Sequence, residues 1–168
     1  MTYRCATVED GQHLWSMVKQ VGSLEQNTAY FYLLMSRMFD ETCLVAEDSQ
    51  GKRLGFVMAL RPPRRPQSIF VWQVGVAPEA RGKGVATGLL VQLLRQTQAS
   101  YIEATVSPSN LASRALFSGL AQQLNCKCSI EPYFQEHHFP DDHPAEELFR
   151  IGPVDRPEEG NNIVDFRT

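Results

Sequence analysis

The sequence has no strong excess of charge of either sign. Its 16 lysines and arginines and 19 aspartates and glutamates leave a formal net charge of −3 over 168 residues. This balance, together with the lack of a basic helix or arm, argues against nucleic acid as a partner. The chain also lacks an apolar run of the length that spans a bilayer, so we expect no membrane partner either.

Signals for secretion and for metal binding are equally scarce. The first residues show neither the basic start nor the apolar segment of a signal peptide, and only four cysteines are present. Cys126 and Cys128 lie closer together than the ligands of a zinc site do. His137, His138 and His143 share a polar segment without a matching ligand set. We predict a cytoplasmic protein with reduced thiols and no metal, and we interpret the histidine segment as a solvated loop.

The composition is that of an ordinary globular domain, with 43% hydrophobic and 21% charged residues. The spacing of apolar residues predicts the element order β-α-α-β-β-β-α-β-α-β-β. This order indicates one α/β or α+β layer structure, a mixed sheet covered by helices, over residues 1–153. Residues 154–168 show no periodicity and are predicted to be a disordered tail.

Three local patterns make the prediction specific. A hydroxyl at Thr7, followed by a carboxylate three residues later, is typical of a capping box that opens the first helix, which Gly22 then ends. Ser107 and Pro108 are predicted to be the N-cap and first residue of the last long helix. The proline-rich segment 61–66 cannot continue a strand ladder and is predicted to be a solvated hairpin tip, including its arginines.

The most informative stretch is residues 73–86, where a long strand ends and a glycine-rich loop leads into a helix. The first turn of a helix leaves backbone N–H groups without partners, and the helix dipole favours an anion there. Gly82 and Gly84 have no side chains to block close approach, so the loop can wrap a diphosphate. Arg81 and Lys83 add positive charge. A plain tight turn would use the same Gly-x-Gly pattern, but the place of this one in the order of elements favours an anion site.

Two other phosphate loops do not fit this stretch. A Walker A loop would need glycine at Ala77 and a hydroxyl at Gly84. The dinucleotide fingerprint would need glycine or alanine at Thr87 and a place after the first strand. The remaining pattern, Arg-Gly-x-Gly-x-Ala after a long strand in mid-chain, resembles the coenzyme A loop of the GNAT acetyltransferase superfamily.

The GNAT resemblance implies both a fold and a co-substrate. The fold would be a mixed, mostly antiparallel sheet of six to seven strands, flanked by four helices and splayed at the central strands. The co-substrate would be acetyl-CoA, with Asn110 beside its pantetheine or diphosphate arm. The resemblance assigns coenzyme A contacts to Val74, Val76, Arg81, Gly82, Lys83, Gly84, Val85, Ala86, Thr87, Asn110 and Phe117.

One residue departs from the GNAT pattern. Many GNAT enzymes carry a tyrosine seven residues after that asparagine, which protonates the leaving thiolate. This sequence has Phe117 there, and a phenylalanine side chain has no proton to give. Water or another residue must supply the proton, or the thiolate leaves unprotonated.

Further segments together resemble one GNAT family, the L-2,4-diaminobutyric acid acetyltransferases of ectoine biosynthesis. The segments are residues 22–27, 30–34, 55–57, 61–63, 70–74, 103–110 and 147–153. The resemblance covers nearly the whole chain from about Tyr3 to Pro153. It implies transfer of acetyl from acetyl-CoA to the γ-amino group of diaminobutyrate, a small diamino acid, by a protein that forms a homodimer.

A diamino acid carries two ammonium groups and one carboxylate, so its pocket should offer carboxylates and aromatic walls. Three of the candidates also have a purely structural interpretation. Glu25 could be a solvated charge at a helix start, Tyr30 a residue that packs its helix, and Trp72 a core aromatic. Glu146 is an alternative to Glu147. The candidates for substrate binding are Glu25, Asn27, Tyr30, Trp72 and Glu147.

We expect direct attack of the amine in a ternary complex, because no cysteine lies in an obvious nucleophile arrangement. A carboxylate could take the proton of the amine, and Glu25, Glu103 and Glu147 are the candidates. The backbone N–H of Val74 or Val76 would stabilise the oxyanion where the central strand splays. Two alternatives stay open: a GNAT enzyme for a polyamine, another amino acid or an amino sugar, and a non-catalytic acyl-CoA-binding module, which the phenylalanine at position 117 favours.

Overall fold

In residues 1–22 and 24–155, which the computed structural model describes, seven strands and four α-helices follow one another in the predicted order. They are β1 (Thr2–Cys5), α1 (Gly11–Val21), α2 (Ala29–Met38), β2 (Cys43–Glu47), β3 (Arg53–Leu60), β4 (Ser68–Val76), α3 (Val85–Thr97), β5 (Tyr101–Val106), α4 (Leu111–Gln123), β6 (Cys128–Phe134) and β7 (Glu146–Ile151). Short 3₁₀ turns lie at Val8–Asp10, Asp40–Thr42, Pro78–Ala80 and Glu136–His138. The element order predicted from the sequence is confirmed.

The strands form one mixed sheet in the order β1-β2-β3-β4-β5-β7-β6. Neighbouring strands are antiparallel except β4 and β5, which run parallel. The parallel pair is short: it joins Ser68, Ile69 and Phe70 of β4 to the first residues of β5. Beyond Phe70 the two strands part, so the predicted splay of the central strands is confirmed and opens a gap in the middle of the sheet.

Apolar faces of the helices cover this sheet. α3 packs on β2, β3 and β4, α1 contacts α2 and β4, and α4 contacts β7. Leu89, Leu90 and Leu93 of α3 and Leu120 of α4 are fully buried. Burial of one leucine side chain contributes about 2 kcal/mol, so these contacts fix the helices on either side of the gap.

The structure refines the predicted starts of the first and last long helices. Gly22 ends α1 in the left-handed conformation (φ 73°), as predicted. The Thr7 N–H donates to Asp10 Oδ2 at 2.9 Å, but the turn that follows is 3₁₀, and α1 begins only at Gly11. α4 does not begin at Ser107: its N-cap is Asn110, whose Oδ1 accepts from the Ser113 N–H at 3.1 Å.

The end of the described chain is more ordered than predicted. The Val154 N–H donates to Ser100 O at 2.8 Å, and the Val154 side chain packs against the core. The domain therefore reaches at least one residue past the predicted boundary. The rest of the predicted tail, from residue 156 onward, lies outside the described residues.

Candidate active site

The gap between β4 and β5 is one part of a long cleft. The strand cavity, as we call the space between the parted strands, has a volume of about 350 Å³. The loop cavity, beside the glycine-rich loop and the starts of α3 and α4, has a volume of about 650 Å³. Leu24, Val74, Asn110 and Ser113 line both cavities, so the two spaces adjoin each other.

A β-bulge aims Trp72 into the strand cavity. The register between β3 and β4 passes from Met58↔Gln73 directly to Ala59↔Val71, which leaves Trp72 as the extra residue of the bulge. Its side chain is 47% exposed and lines the cavity, with the Phe31 ring 5.9 Å away between centroids. Trp72 is therefore a wall of the cleft and not a core aromatic.

The glycine-rich loop, residues 81–86, presents backbone donors to the loop cavity. Gly82 and Gly84 have φ of 72° and 73°, a left-handed conformation that glycine adopts without a steric penalty. α3 begins directly after Gly84. Within the described chain, no hydrogen bond is made by the backbone N–H groups of residues 82–87. These free donors at a helix N-terminus suit a diphosphate.

Most of the residues predicted to contact coenzyme A come together here. Val74, Val76, Arg81, Gly82, Gly84, Val85, Ala86, Thr87 and Asn110 all line the loop cavity. Lys83 is exposed and does not line it. Phe117 lines the strand cavity instead, where it is 3% exposed and its ring packs on Phe149.

Strand geometry directs two backbone donors into the gap. The Ala77 N–H donates to Leu54 O on the β3 side of β4 at 2.9 Å. Successive N–H groups of a strand point to opposite sides, so those of Val74 and Val76 point away from β3, toward the gap. Both N–H groups are therefore directed to the side of β4 on which the gap lies.

A buried polar network holds the loop between α1 and α2 against β4. The Tyr32 hydroxyl is 3.3 Å from Gln73 Oε1, and Gln73 Nε2 donates to Glu25 O at 2.6 Å. The Asn27 N–H donates to the Tyr32 oxygen at 3.4 Å. As a result, Glu25 and Asn27 line the strand cavity. Tyr30 does not: it lies on the outer face of α2 with 69% of its surface exposed, so its predicted substrate contact is corrected.

Glu146, and not Glu147, faces the strand cavity. Neighbouring residues of a strand point to opposite faces of the sheet, which separates these two carboxylates at the start of β7. Glu147 instead forms an ion pair with Arg114 of α4, whose guanidinium lies 5.1 Å from the centroid of the Phe149 ring. The predicted substrate and catalytic roles of Glu147 are therefore not supported by its position.

The structure also removes Glu103 from the cleft. Its carboxylate is fully buried, accepts from Ser68 Oγ at 2.9 Å and lies 3.2 Å from Arg65 and 3.3 Å from Arg150. It lines neither cavity, so it has no path to an amine. Arg65, predicted to be a solvated arginine of the hairpin tip, is in fact one of the cations that compensate this buried charge.

The end of β6, the connection after it and the start of β7 also line the strand cavity, with Phe134, Phe139, His143 and Glu146. Of these, the sequence analysis considered only Glu146 for the substrate pocket, as an alternative to Glu147. The polar segment with its histidines was visible in the sequence, but a loop has no periodicity that says which side chain points inward. Among the described residues that line the strand cavity there is no lysine or arginine, whereas Glu25 and Glu146 are both acidic. The cavity therefore favours a cation.

Comparison with known proteins supports the geometry. The model of the GNAT acetyltransferase family matches residues 11–120. The L-2,4-diaminobutyric acid acetyltransferase of Halalkalibacterium halodurans is 46% identical over 152 residues, which cover 88% of this chain and 79% of that protein. The enzyme of the same name from Marinococcus halophilus is 46% identical over 151 residues, 88% of this chain and 87% of that protein. This chain belongs to that family of GNAT acetyltransferases.

Solved structures agree with this membership. Diaminobutyrate acetyltransferase EctA from Paenibacillus lautus, in complex with L-2,4-diaminobutyric acid and coenzyme A, matches with a TM-score of 0.85 and 38% identity. The match covers 93% of this chain and 96% of that one. A chimera of the spermidine N-acetyltransferase SpeG from Vibrio cholerae and hSSAT shares the fold alone, with a TM-score of 0.69 and 19% identity over 90% of this chain and 95% of that one.

Neither a metal site nor a membrane-spanning helix is found among the described residues. These residues contain no group of three or more histidine, cysteine, aspartate or glutamate side chains that could hold a metal ion. No helix within residues 1–22 and 24–155 is both long and apolar enough to cross a membrane. The acetyl-CoA co-substrate of GNAT enzymes fits the loop cavity, where the free N–H groups of residues 82–87 can receive its diphosphate.

Proposed function

We propose that this protein transfers the acetyl group of acetyl-CoA to the γ-amino group of L-2,4-diaminobutyrate and so forms N4-acetyl-diaminobutyrate, a precursor of ectoine. The observation that carries the proposal is the pairing of two cavities in one cleft. One offers free backbone donors to a diphosphate, and the other offers Glu25 and Glu146 to a cationic amine, with no lysine or arginine among its described lining residues. The similarity to EctA, whose complex contains both ligands, supports the same pairing.

The charge of the strand cavity explains how the amine substrate would bind. A free alkylammonium titrates near pH ~10, so both amino groups of diaminobutyrate carry charge at neutral pH to a large extent. Glu25 and Glu146 attract these groups, and the face of Trp72 can add a cation–π contact. Direct attack in a ternary complex suits this arrangement, because the amine and the thioester meet where the two cavities join, beside Val74.

The gap between the parted strands explains how the acetyl group would be transferred. The deprotonated γ-nitrogen attacks the thioester carbonyl carbon, and the N–H groups of Val74 and Val76 can stabilise the negative charge that develops on the oxygen. One such donor is worth about 3 kcal/mol in other enzymes. The C–S bond then breaks, and the sulfur takes its proton from the attacking nitrogen or from water, because Phe117 has none to give.

The test is a kinetic comparison of amines with the purified protein and acetyl-CoA. Release of the coenzyme A thiol is followed for diaminobutyrate, ornithine, lysine, putrescine, spermidine and glucosamine, and tandem mass spectrometry locates the acetyl group. We expect the highest kcat/KM for diaminobutyrate, with the acetyl group on N4. A higher kcat/KM for a polyamine or an amino sugar would contradict the proposal. Binding of acetyl-CoA without turnover of any amine would favour a non-catalytic module.

We further infer a homodimer, as the resemblance to the diaminobutyrate acetyltransferases implies. The edge strand β6 supports this, since β7 is its one partner among the described strands and Ile130, Tyr133 and Phe134 are each at least 40% exposed. A second copy of the chain would cover these side chains. Light scattering after size-exclusion chromatography should give twice the 19.0 kDa chain mass, and Tyr133→Glu should shift it toward one chain. A monomer at micromolar concentration would exclude the inference.

A cytoplasmic location fits the same function. The cysteines of the described residues, Cys5, Cys43, Cys126 and Cys128, are all free thiols, which a reducing compartment maintains. Cell fractionation with an antibody against the chain should recover it with the cytoplasmic proteins. Recovery in a membrane or secreted fraction would contradict this location.

A further inference from the structure

One step of the proposed reaction has no residue assigned to it. The γ-ammonium must lose a proton before its nitrogen can attack, and of the predicted bases only Glu25 lies in the cleft. A carboxylate is well suited to hold a cation but is a weak acceptor for its proton at neutral pH. A histidine titrates much closer to neutrality and is the side chain most often used for this task. His143 lines the strand cavity.

The hydrogen bonds of His143 define which ring nitrogen is free. Nδ1 lies 2.7 Å from Pro144 O. A carbonyl oxygen can only accept, so the proton of the neutral ring must reside on Nδ1. Nε2 is then left with its lone pair, which is the requirement for a proton acceptor. The bond to Pro144 thus selects the tautomer.

Aromatic packing fixes the orientation of the same ring. The His143 and Phe139 rings are stacked, with centroids 4.0 Å apart and an angle of 23° between the planes. Phe139 is in turn held edge-on by Phe134, at 6.2 Å between centroids. All three side chains line the strand cavity. His143 therefore has a supported ring position although it lies in a loop.

The gap between His143 and Glu146 matches a ligand nitrogen. Nε2 is 3.9 Å from Glu146 Oε1, which is too long for a hydrogen bond between them. A donor nitrogen can lie at a normal hydrogen-bond distance of about 2.9 Å from both atoms at once. An ammonium in that place would donate one proton to the carboxylate and another to Nε2. The only other charged side chain that lines the cavity, within the described chain, is Glu25 on the loop before α2.

We propose that His143 is the general base of the reaction, with Glu146 holding the γ-ammonium against it. Nε2 takes one proton from the ammonium and becomes an imidazolium, which Glu146 stabilises. The amine lone pair forms the bond to the carbonyl carbon, and the electrons of the C–S bond leave with the sulfur. The second proton of the nitrogen passes to the thiolate, giving the coenzyme A thiol. His143, whose side chain is 34% exposed, then releases its proton to solvent.

This inference rests on the proposed function, and a set of variants separates the two. Wild type, His143→Gln and His143→Ala are compared with His137→Gln, a matched control because His137 is a neighbouring exposed histidine that does not line the cavity. Thermal unfolding verifies that each variant folds. kcat and both KM values are measured with diaminobutyrate from pH 5.5 to 9, with and without added imidazole.

We expect kcat of His143→Gln to fall about 100-fold or more, in the range typical of a lost general base, with the KM for acetyl-CoA unchanged. The acid limb of the wild-type pH profile should disappear, and imidazole should restore part of the activity of His143→Ala. His137→Gln should behave as wild type. Retention of kcat within about threefold in His143→Gln, or an unchanged acid limb, would overturn the assignment. Absence of wild-type turnover with diaminobutyrate would instead overturn the proposed function, and this inference with it.

Discussion

Phe70 and Glu103 are the last residues of β4 and β5 that pair with each other, and together they mark the closed end of the cleft. Phe70 lines the strand cavity, whereas the Glu103 carboxylate is enclosed by Ser68, Arg65 and Arg150. The pair thus separates two tasks. Phe70 faces the strand cavity, and Glu103 ties the strands together below the point where they part.

Glu103→Gln tests this division. The amide keeps an acceptor for Ser68 but loses the ion pairs, so we expect a loss in the free energy of unfolding of about 3 kcal/mol, typical of a broken buried pair. The pH profile of kcat should stay that of wild type. Urea unfolding and pH-dependent kinetics measure the two quantities. If the variant kept the wild-type free energy of unfolding but lost the acid limb of its kcat profile, Glu103 would be a proton acceptor after all.

Gly84→Glu should weaken acetyl-CoA binding more than tenfold, because a carboxylate would compete with the diphosphate at the N-terminus of α3. Gly51→Glu is the matched control. Gly51 has an equally left-handed backbone (φ 77°) with open space around it, but it lies in the turn between β2 and β3, away from both cavities. Calorimetry with acetyl-CoA measures the affinities. Equal affinity in both folded variants would remove the loop from the site.

Glu146→Gln and Glu147→Gln should differ in which property they change. The first removes a charge from the strand cavity, so the KM for diaminobutyrate should rise roughly 10-fold to 100-fold, as for a lost hydrogen bond to a charged group. The second breaks the ion pair with Arg114 and should mainly lower stability. Steady-state kinetics and thermal unfolding of both variants decide the matter. If Glu147→Gln raised the KM and Glu146→Gln mainly lowered stability, β7 would present its other face to the ligand.

Asp10 should make the stability of the fold depend on acid pH. Its burial alone would raise the pKa, but hydrogen bonds from Arg4, the Thr7 backbone and Arg53 outweigh that effect and hold the pKa of Asp10 well below its usual value. A lowered pKa stabilises the fold above pH ~4, where the unfolded carboxylate is ionised, and this contribution is lost as pH falls toward the folded pKa.

The variant Asp10→Asn should therefore cost about 3 kcal/mol of unfolding free energy at pH 7. Its stability should also fall less steeply than that of wild type between pH 5 and pH 2. Urea unfolding at a series of pH values gives both results. A wild-type stability that is flat over this range would show that the Asp10 cluster makes no net contribution.

The sequence predicted the parts of the molecule that local patterns encode. The order of elements, the end of α1 at Gly22 and the glycine-rich loop all depend on residues close together in the chain, so apolar spacing and glycine positions were enough. The splay of the central strands came from resemblance to GNAT proteins. Ser107 and Pro108 suggested a helix start by the same local reasoning, but the Asn110 side chain reaches the Ser113 N–H and begins α4 later.

The remaining site residues depend on contacts between distant parts of the chain. A shift of one residue in β7 exchanges Glu146 for Glu147, and no local pattern distinguishes them. Glu103 is buried only because Arg65 and Arg150 come from two other segments to compensate it. His143 lies in a loop, where the direction of a side chain follows from its tertiary contacts with Phe139 and Pro144.

A crystal structure of the protein with coenzyme A and diaminobutyrate would show both halves of the site at once. We expect the diphosphate to accept hydrogen bonds from backbone N–H groups of residues 82–87, and the γ-nitrogen to lie between His143 Nε2 and Glu146, facing Val74. A diphosphate bound away from this loop, or an amine outside the gap between β4 and β5, would contradict this expectation.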